Sequence, residues 1–373
     1  MRKVSTFLLS VLAVLAGGVH AQQPHGWIGN GHTSAYTLQP GEFELSGKLL
    51  RVDDTIDVLN LREDLLAGTR RLVGNSGDLS GAGGELRVGV WRGLELFYRQ
   101  QNQDLTLKIA PAGSVDIIDL DQELSTRSTA YGAKWVLYER SSGDRSQPWT
   151  SAALELTRIE NSSEDFDGYL ERFRLNANTS VTFFDPPRFG LDRLRDKGWQ
   201  SRFIVSQPLG RSTTLSAWAG YGKSESSSGT STLAPYNLIR EAFLQTFDID
   251  ETHYMLGASM NWQYFSRLPV QIGYEYIRVN DRTSTIKASN SSLVPSFLRG
   301  NNLSDSATDN HTLYGAVNWW ITPQVHLGAA GKLLSNQFVG VMPHYNNPLS
   351  GSFSETVYGY VELKVGIKFA VIH

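Results

Sequence analysis

The stretch TVYGYVELKVGIKFAVIH, residues 356–373, decides the fold. Its odd positions, Val357, Gly359, Val361, Leu363, Val365, Ile367, Phe369 and Val371, are oily or small. Its even positions carry Tyr358, Tyr360, Glu362, Lys364, Gly366, Lys368 and Ala370. Side chains of an extended chain point alternately to opposite faces, so this pattern describes a strand between an oily medium and a polar one. The run exceeds the ~5–6 residues common in globular strands. It also covers the ~9–11 residues that a tilted strand needs to cross a bilayer.

The alternation recurs upstream. Phe43, Leu45, Gly47 and Leu49 alternate with Glu42, Glu44, Ser46 and Lys48; Leu86, Val88 and Val90 alternate with Glu85, Arg87 and Gly89; Leu94, Leu96 and Tyr98 alternate with Glu95, Phe97 and Arg99. The same holds over 130–137, 152–157, 199–206, 214–221, 254–262, 270–276, 312–319 and 325–333. This predicts an all-β chain of about twelve antiparallel strands, an even number as bacterial single-chain barrels have.

The spacers keep a parity. Short ones (92–93, 140–149, 207–212, 265–269, 321–323) alternate with long ones (53–81, 110–121, 161–198, 226–252, 283–309, 336–354). Short periplasmic turns and long extracellular loops are the habit of a transmembrane β-barrel, and a soluble sandwich has no reason to keep them in step. With the long loops outside, both termini fall in the periplasm. Residues 169–184 alternate too and are read as a strand extension above the membrane; a fourteen-strand barrel is the alternative. The basic run 188–197 is read as part of that outer loop, 224–231 as a flexible loop tip, and 235–247 as a short amphipathic loop helix.

The N-terminus points to export. Arg2 and Lys3 precede a short apolar run at 7–16, and Val19-His20-Ala21 forms a small-x-small cleavage site. The run is roughly half the ~20 residues of a spanning helix. The expected organisation is a signal peptide at 1–21, a periplasmic segment at 22–40 and the barrel at 41–373. The chain has no cysteine, which excludes disulfides, thiolate metal sites and a cysteine nucleophile. A net charge of -3 with no basic stripe argues against nucleic acid as a partner.

Taken together, the signal peptide, the strand and loop rhythm and the closing strand resemble a Gram-negative outer-membrane β-barrel over essentially the whole mature chain. The resemblance implies the outer membrane as location, its lipid and lipopolysaccharide as surroundings, and the barrel-assembly machinery as a partner during biogenesis. In that class the last strand usually ends on an aromatic residue; here the chain ends on His373, with Phe369 the nearest aromatic. The opening Ala35-Tyr36-Thr37-Leu38-Gln39-Pro40-Gly41-Glu42-Phe43-Glu44-Leu45 is similar to that of transporter-like barrels of the meta-pathway phenol-degradation outer-membrane family.

The expected lumen face carries the chemistry. Glu44, Glu85, Glu95, Glu155, Glu275 and Glu362 point inward with Lys48, Arg87, Arg99, Lys134, Arg202, Lys332, Lys364 and Lys368. Rings of charge set selectivity in a water-filled or gated pore for small solutes, here slightly in favour of anions. The competing reading is a closed structural or docking barrel laced by internal ion pairs. Trp91, Trp135, Trp199, Trp262, Trp319 and Trp320 suit interfacial girdles. A lipid-acting hydrolase is a further reading, through Ser34, His253, Ser259 or His311. No motif brings nucleophile and base together, so no enzyme is expected. No cofactor motif or metal-ligand spacing is present; Asp53-Asp54 and Asp119-Leu120-Asp121 read as solvated loop acids, with calcium binding or a divalent-ion bridge to lipopolysaccharide as the alternative.

Overall fold

In a computed structural model the described residues are 33–52, 76–108, 115–118, 123–140, 149–164, 166–176, 179–182, 184, 188–232, 247–265, 267–283, 306–335 and 357–370. The expected signal peptide, residues 235–246 of the expected 235–247 helix and the acids at 53–54, 119 and 121 lie outside them, and Phe247 is the first residue of a strand instead.

Twelve strands close a ring: β1 (Glu42–Val52), β2 (Ser76–Trp91), β3 (Leu94–Lys108), β5 (Glu123–Arg140), β6 (Thr150–Ser163), β9 (Arg188–Pro208), β10 (Thr213–Thr232), β11 (Phe247–Phe265), β12 (Leu268–Thr283), β13 (Ser306–Trp320), β14 (Val325–Ser335) and β15 (Val357–Ala370). Each pairs antiparallel with its neighbours. The quoted C-terminal stretch closes the circle, Glu42 facing Ala370 and Val52 facing Tyr360. Closure leaves the ring without an open edge, so the backbone polar groups of the wall bond from strand to strand.

Three short strands stand off the ring: β4 (Val115–Ile118), β7 (Phe166–Asn176) and β8 (Thr179–Thr182). β7 pairs with β4, with β8 and with the far end of β9. The alternating stretch after residue 169 is therefore an extension at the long-loop end, and the barrel has twelve strands, not fourteen. Two loop assignments are corrected. The basic run 188–197 is the outer part of β9, and the serine-rich 224–231 is the outer part of β10; the two pair up to Thr232, with one register shift between Ser227 and Gly229. Serine and glycine lowered the strand signal there, and backbone pairing against a long neighbour overrode it.

The wall inverts the pattern of a soluble protein. Leu49, Leu156 and Leu363 on the outer face are 63%, 51% and 58% exposed, while Glu44, Lys134 and Glu155 on the inner face are 8%, 0% and 1% exposed. Trp91, Trp135, Trp199, Trp262 and Trp319 lie on the outside. Trp320 does not: it is buried, its ring 4.6 Å from that of His326. Two adjacent tryptophans on one strand must face opposite ways, so only one could join a girdle.

Candidate functional site: the closed mouth of the barrel

All fourteen expected lumen residues lie on the inner face, buried or half-buried. Most are engaged with each other. Arg87 forks onto Glu95, Nε to Oε1 at 2.9 Å and Nη2 to Oε2 at 2.8 Å, and its Nη1 donates to Glu44 Oε2 at 2.9 Å. Lys134 and Lys364 extend this network, 3.9 Å from Glu95 and 3.8 Å from Glu44. Lys48 pairs with Glu362 at 3.2 Å, and Arg202 pairs with Glu155 and reaches Glu275 at 4.0 Å. Lys368 pairs at 3.2 Å with Glu42, an inward acid outside the expected set. Arg99 lies over the Phe97 ring within the field of Glu85 and Glu155. Lys332 lies in the field of Lys48.

Among the described residues the interior has no cation excess. Buried Glu42, Glu251 and Asp196 add three inward acids, so the expected leaning toward anions loses its basis.

The unexpected element is the N-terminal segment. Residues 33–39 do not hang beside the barrel; Ser34 to Leu38 are buried inside its short-turn mouth. The chain leaves β1 through a turn at Pro40-Gly41. Gly41 has φ +77°, a conformation open to glycine and costly by ~1–2 kcal/mol for other residues. Gly41 N donates to Gly89 O at 2.8 Å, Glu42 N to Gln39 O at 2.9 Å, and Gln39 N to the Glu42 carboxylate at 2.8 Å. The segment then lies against β2 so closely that a Cβ on Gly89 would sit 1.9 Å from Gln39 O.

From there it crosses the mouth. Leu38 N donates to Glu95 Oε2 at 2.9 Å, and Tyr36 Oη to Trp149 O at 2.7 Å. Lys134 Nζ donates to Ser34 O at 3.2 Å, Ser206 Oγ accepts from Ala35 N at 2.9 Å, and Ser151 Oγ donates to Ala35 O at 3.3 Å. Gln271 Nε2 reaches Thr33 Oγ1 on the far side at 2.6 Å. Ala35 also packs with Ala153, Ile204 and Trp218. Burial pushes the Tyr36 hydroxyl up to about 12, which keeps it a neutral donor.

The receiving surface is a row of serines: Ser151 faces Ser206, Ser206 faces Ser216, and Ser216 faces Ser259 across β6, β9, β10 and β11. Their hydroxyls are buried, and those of Ser206 and Ser216 are 2.7 Å apart. Neither this row nor the inserted segment stood out in the sequence. Serines every few tens of residues show no motif until the register aligns them. The signal that could have been read is Ala35-Tyr36-x-Leu38 before Pro40-Gly41, an apolar patch too short for a strand.

The hydrolase candidates are not assembled into a site. Ser34 sits in the mouth, whereas His253 lies higher in the lumen beside Glu251 and Ser224. There both partners meet the same nitrogen, Nε2, at 3.1 Å for Glu251 and 3.4 Å for Ser224. A catalytic relay needs acid and nucleophile on opposite ring nitrogens. His311 is on the outer face, its Nδ1 2.7 Å from the Tyr274 hydroxyl. Ser259 belongs to the serine row.

An even-stranded closed barrel with an oily outer wall, a polar interior and short turns at one end is an outer-membrane β-barrel. No family model and no curated protein matches this chain. Among solved structures it is similar to an outer-membrane channel from Pseudomonas putida F1 (7% identity, TM-score 0.45, covering 90% of this chain and 97% of that one). It is also similar to the translocator domain of the autotransporter NalP from Neisseria meningitidis (9%, 0.44, 90% and 90%) and to the toluene transporter TbuX of Ralstonia pickettii (8%, 0.43, 91% and 91%). At these scores no activity transfers from them.

Proposed function

We propose that this barrel is an outer-membrane channel for small solutes, closed at its periplasmic mouth by residues 33–39 and opened when that segment shifts. The observation that carries the reading is the way the segment is held. Its contacts are mostly single hydrogen bonds from its backbone to wall side chains, each contributing about 0.5–1.5 kcal/mol. Such a contact set is stable at rest and separable without unfolding the barrel. Because the inner charges are paired, the path above the segment selects by size and polarity more than by net charge.

The test is conductance in planar bilayers, comparing the mature chain with one lacking residues 22–39. The expected result is low or flickering conductance in the full chain and a steady open level in the shortened one. Silence of the shortened chain at all voltages, with the barrel folded, sinks the reading. One observation favours the alternative of a closed structural or docking barrel: Glu44, Lys48, Arg87, Glu95, Lys134, Glu155, Arg202, Glu275, Glu362, Lys364 and Lys368 all have a charged partner. Silence in that experiment is the result it expects.

A further inference from the structure

The outer wall changes character around its circumference. On β5, β6, β9 and β10 it turns basic toward the long-loop end. Cross-strand register puts Arg158, Trp199 and Lys223 in one outward row. Lys197 stands in the next row between Glu160 and Glu225, and Arg127 and Arg195 stand in the row beyond, on either side of Ser162. Five cations thus face outward against two acids, with Asp250 on β11 beside Glu225. On the other side of the barrel the outward wall of β14 and β15 shows Gly331 facing Val361 at a similar depth.

Among the described residues these cations are only loosely engaged. The Arg158 Nε to Glu160 Oε1 distance is 3.7 Å, with both side chains exposed, and Arg127 donates to Gln100 Oε1 at 3.1 Å. Exposed pairs of this kind are worth ~0–1 kcal/mol and leave a guanidinium open to a better anion. A chain of rings starts in the lowest basic row and steps below it, Trp199 5.7 Å from Tyr221 and Tyr221 5.6 Å from Tyr254. Leu156 shares the row of Tyr221, and beneath it the wall stays exposed and apolar with Phe203 and Leu215.

Counted from the short turns at Thr150, Pro208 and Thr213, Arg158, Trp199 and Lys223 stand about one membrane crossing away, ~9–11 residues for a tilted strand. Apolar wall, aromatic row and cations therefore follow the order of acyl chain, interface and phosphate in a lipid leaflet. We infer that the outer end of β5, β6, β9 and β10 docks the phosphorylated glycolipid of the outer leaflet, lipopolysaccharide. Arg158, Lys197 and Lys223 take its phosphates, and Trp199 lies under the junction of sugar and acyl chains. The Arg guanidinium suits phosphate through its fork of donors, and the lysines act as mobile point charges. The inference rests on the outer-membrane location and is independent of whether the lumen conducts.

The experiment uses the full mature chain refolded in detergent, beside the triple variant R158Q/K197Q/K223Q and a control, R92Q/R211Q, at the opposite end of the wall. Heat-modifiable gel mobility reports that each is folded. Binding is read by gel shift with purified lipopolysaccharide, with the same lipid dephosphorylated, and with phosphatidylglycerol micelles. The parent and the control are expected to bind phosphorylated lipopolysaccharide alike. The triple variant should bind it about a hundredfold more weakly, the effect of three basic residues at an anionic surface. Dephosphorylated lipid and phosphatidylglycerol should both bind weakly to the parent. Equal binding by parent and triple variant overturns the proposal, as does binding of either the dephosphorylated lipid or phosphatidylglycerol to the parent as tight as that of phosphorylated lipopolysaccharide. If the triple variant fails to fold, K223Q alone carries the test, with an expected loss of about fivefold and no loss as the overturning result. Cell fractionation separates the two levels of failure. A protein outside the outer membrane overturns the location, whereas an outer-membrane barrel indifferent to lipopolysaccharide overturns only the docking face.

Discussion

Glu95 accepts the backbone N–H of Leu38 at 2.9 Å through Oε2, the same oxygen that takes Arg87 Nη2 at 2.8 Å. One buried carboxylate thus joins the inserted N-terminal segment to the charge network of the wall. Disturbing the segment and disturbing the network are consequently different experiments, and variants can be chosen to do one without the other.

Gly89→Val acts on the segment alone. Its new side chain would meet Gln39 O and Leu38 O, at 1.9 and 2.8 Å from the Cβ position, while the ion pairs of Arg87 with Glu95 and Glu44 keep both partners. Overpacking of this size costs about 1–3 kcal/mol, which the segment can relieve by leaving the mouth. Bilayer recordings should show a higher open probability, and thermal unfolding in detergent should shift little. Unchanged conductance with a large fall in Tm would mean that the wall yielded and not the segment.

Glu95→Gln acts on the network. The amide oxygen can still accept from Leu38, but the forked ion pair with Arg87 is lost, and Arg87 is 2% exposed. Breaking a buried pair by removing one partner costs about 3–5 kcal/mol. Glu44 still holds Arg87 Nη1, which places the expected loss near the lower end of that range. Urea unfolding of the detergent-solubilised barrel measures it.

The contrast between these positions shows what was legible in the sequence. Strand number, the parity of turns and the inward or outward sense of Glu44, Arg87, Glu95, Lys134, Arg202 and Lys364 follow from a period of two, which a single strand displays by itself. Whether those charges meet water or each other depends on register between strands. Lys48 lies 3.2 Å from Glu362 only because β15 returns to β1 at the end of the chain. The serine row and the inserted segment are invisible for the same reason. Ser151, Ser206, Ser216 and Ser259 become one surface only after four strands are aligned. Trp320 could have been placed, because its neighbour Trp319 had already taken the outward position.

Tyr36 makes the closure sensitive to strong alkali. Its hydroxyl is raised from 10.0 to about 12 by burial in the mouth. With the segment released the phenol ionises near its ordinary value, and docked it does not. Closure is therefore at full strength below about pH 10 and weakens as pH rises from about 10 to about 12, because the released state gains the favourable ionisation. Conductance should climb over that window. Tyr36→Phe should abolish this climb while raising the open probability at neutral pH by the loss of one hydrogen bond to Trp149 O. An identical alkaline profile in the variant would assign the effect to another group.

Arg202 and Glu155 test whether the paired interior is needed for fold or for function. Glu155 is 1% exposed, so Arg202→Met takes from a buried carboxylate the guanidinium it is paired with, with a cost of about 3–5 kcal/mol. Replacing both, as in E155L/R202M, removes the charge along with its partner, and buried pairs exchanged for apolar residues are often neutral or stabilising. The expected order of Tm is parent and double variant alike, with the single variant well below. If the pair serves only the wall, the double variant should also conduct as the parent does once residues 22–39 are deleted. If the pair shapes the path, the double variant will differ in unit conductance while its Tm stays put, which separates a lumen role from a structural one in a single protein.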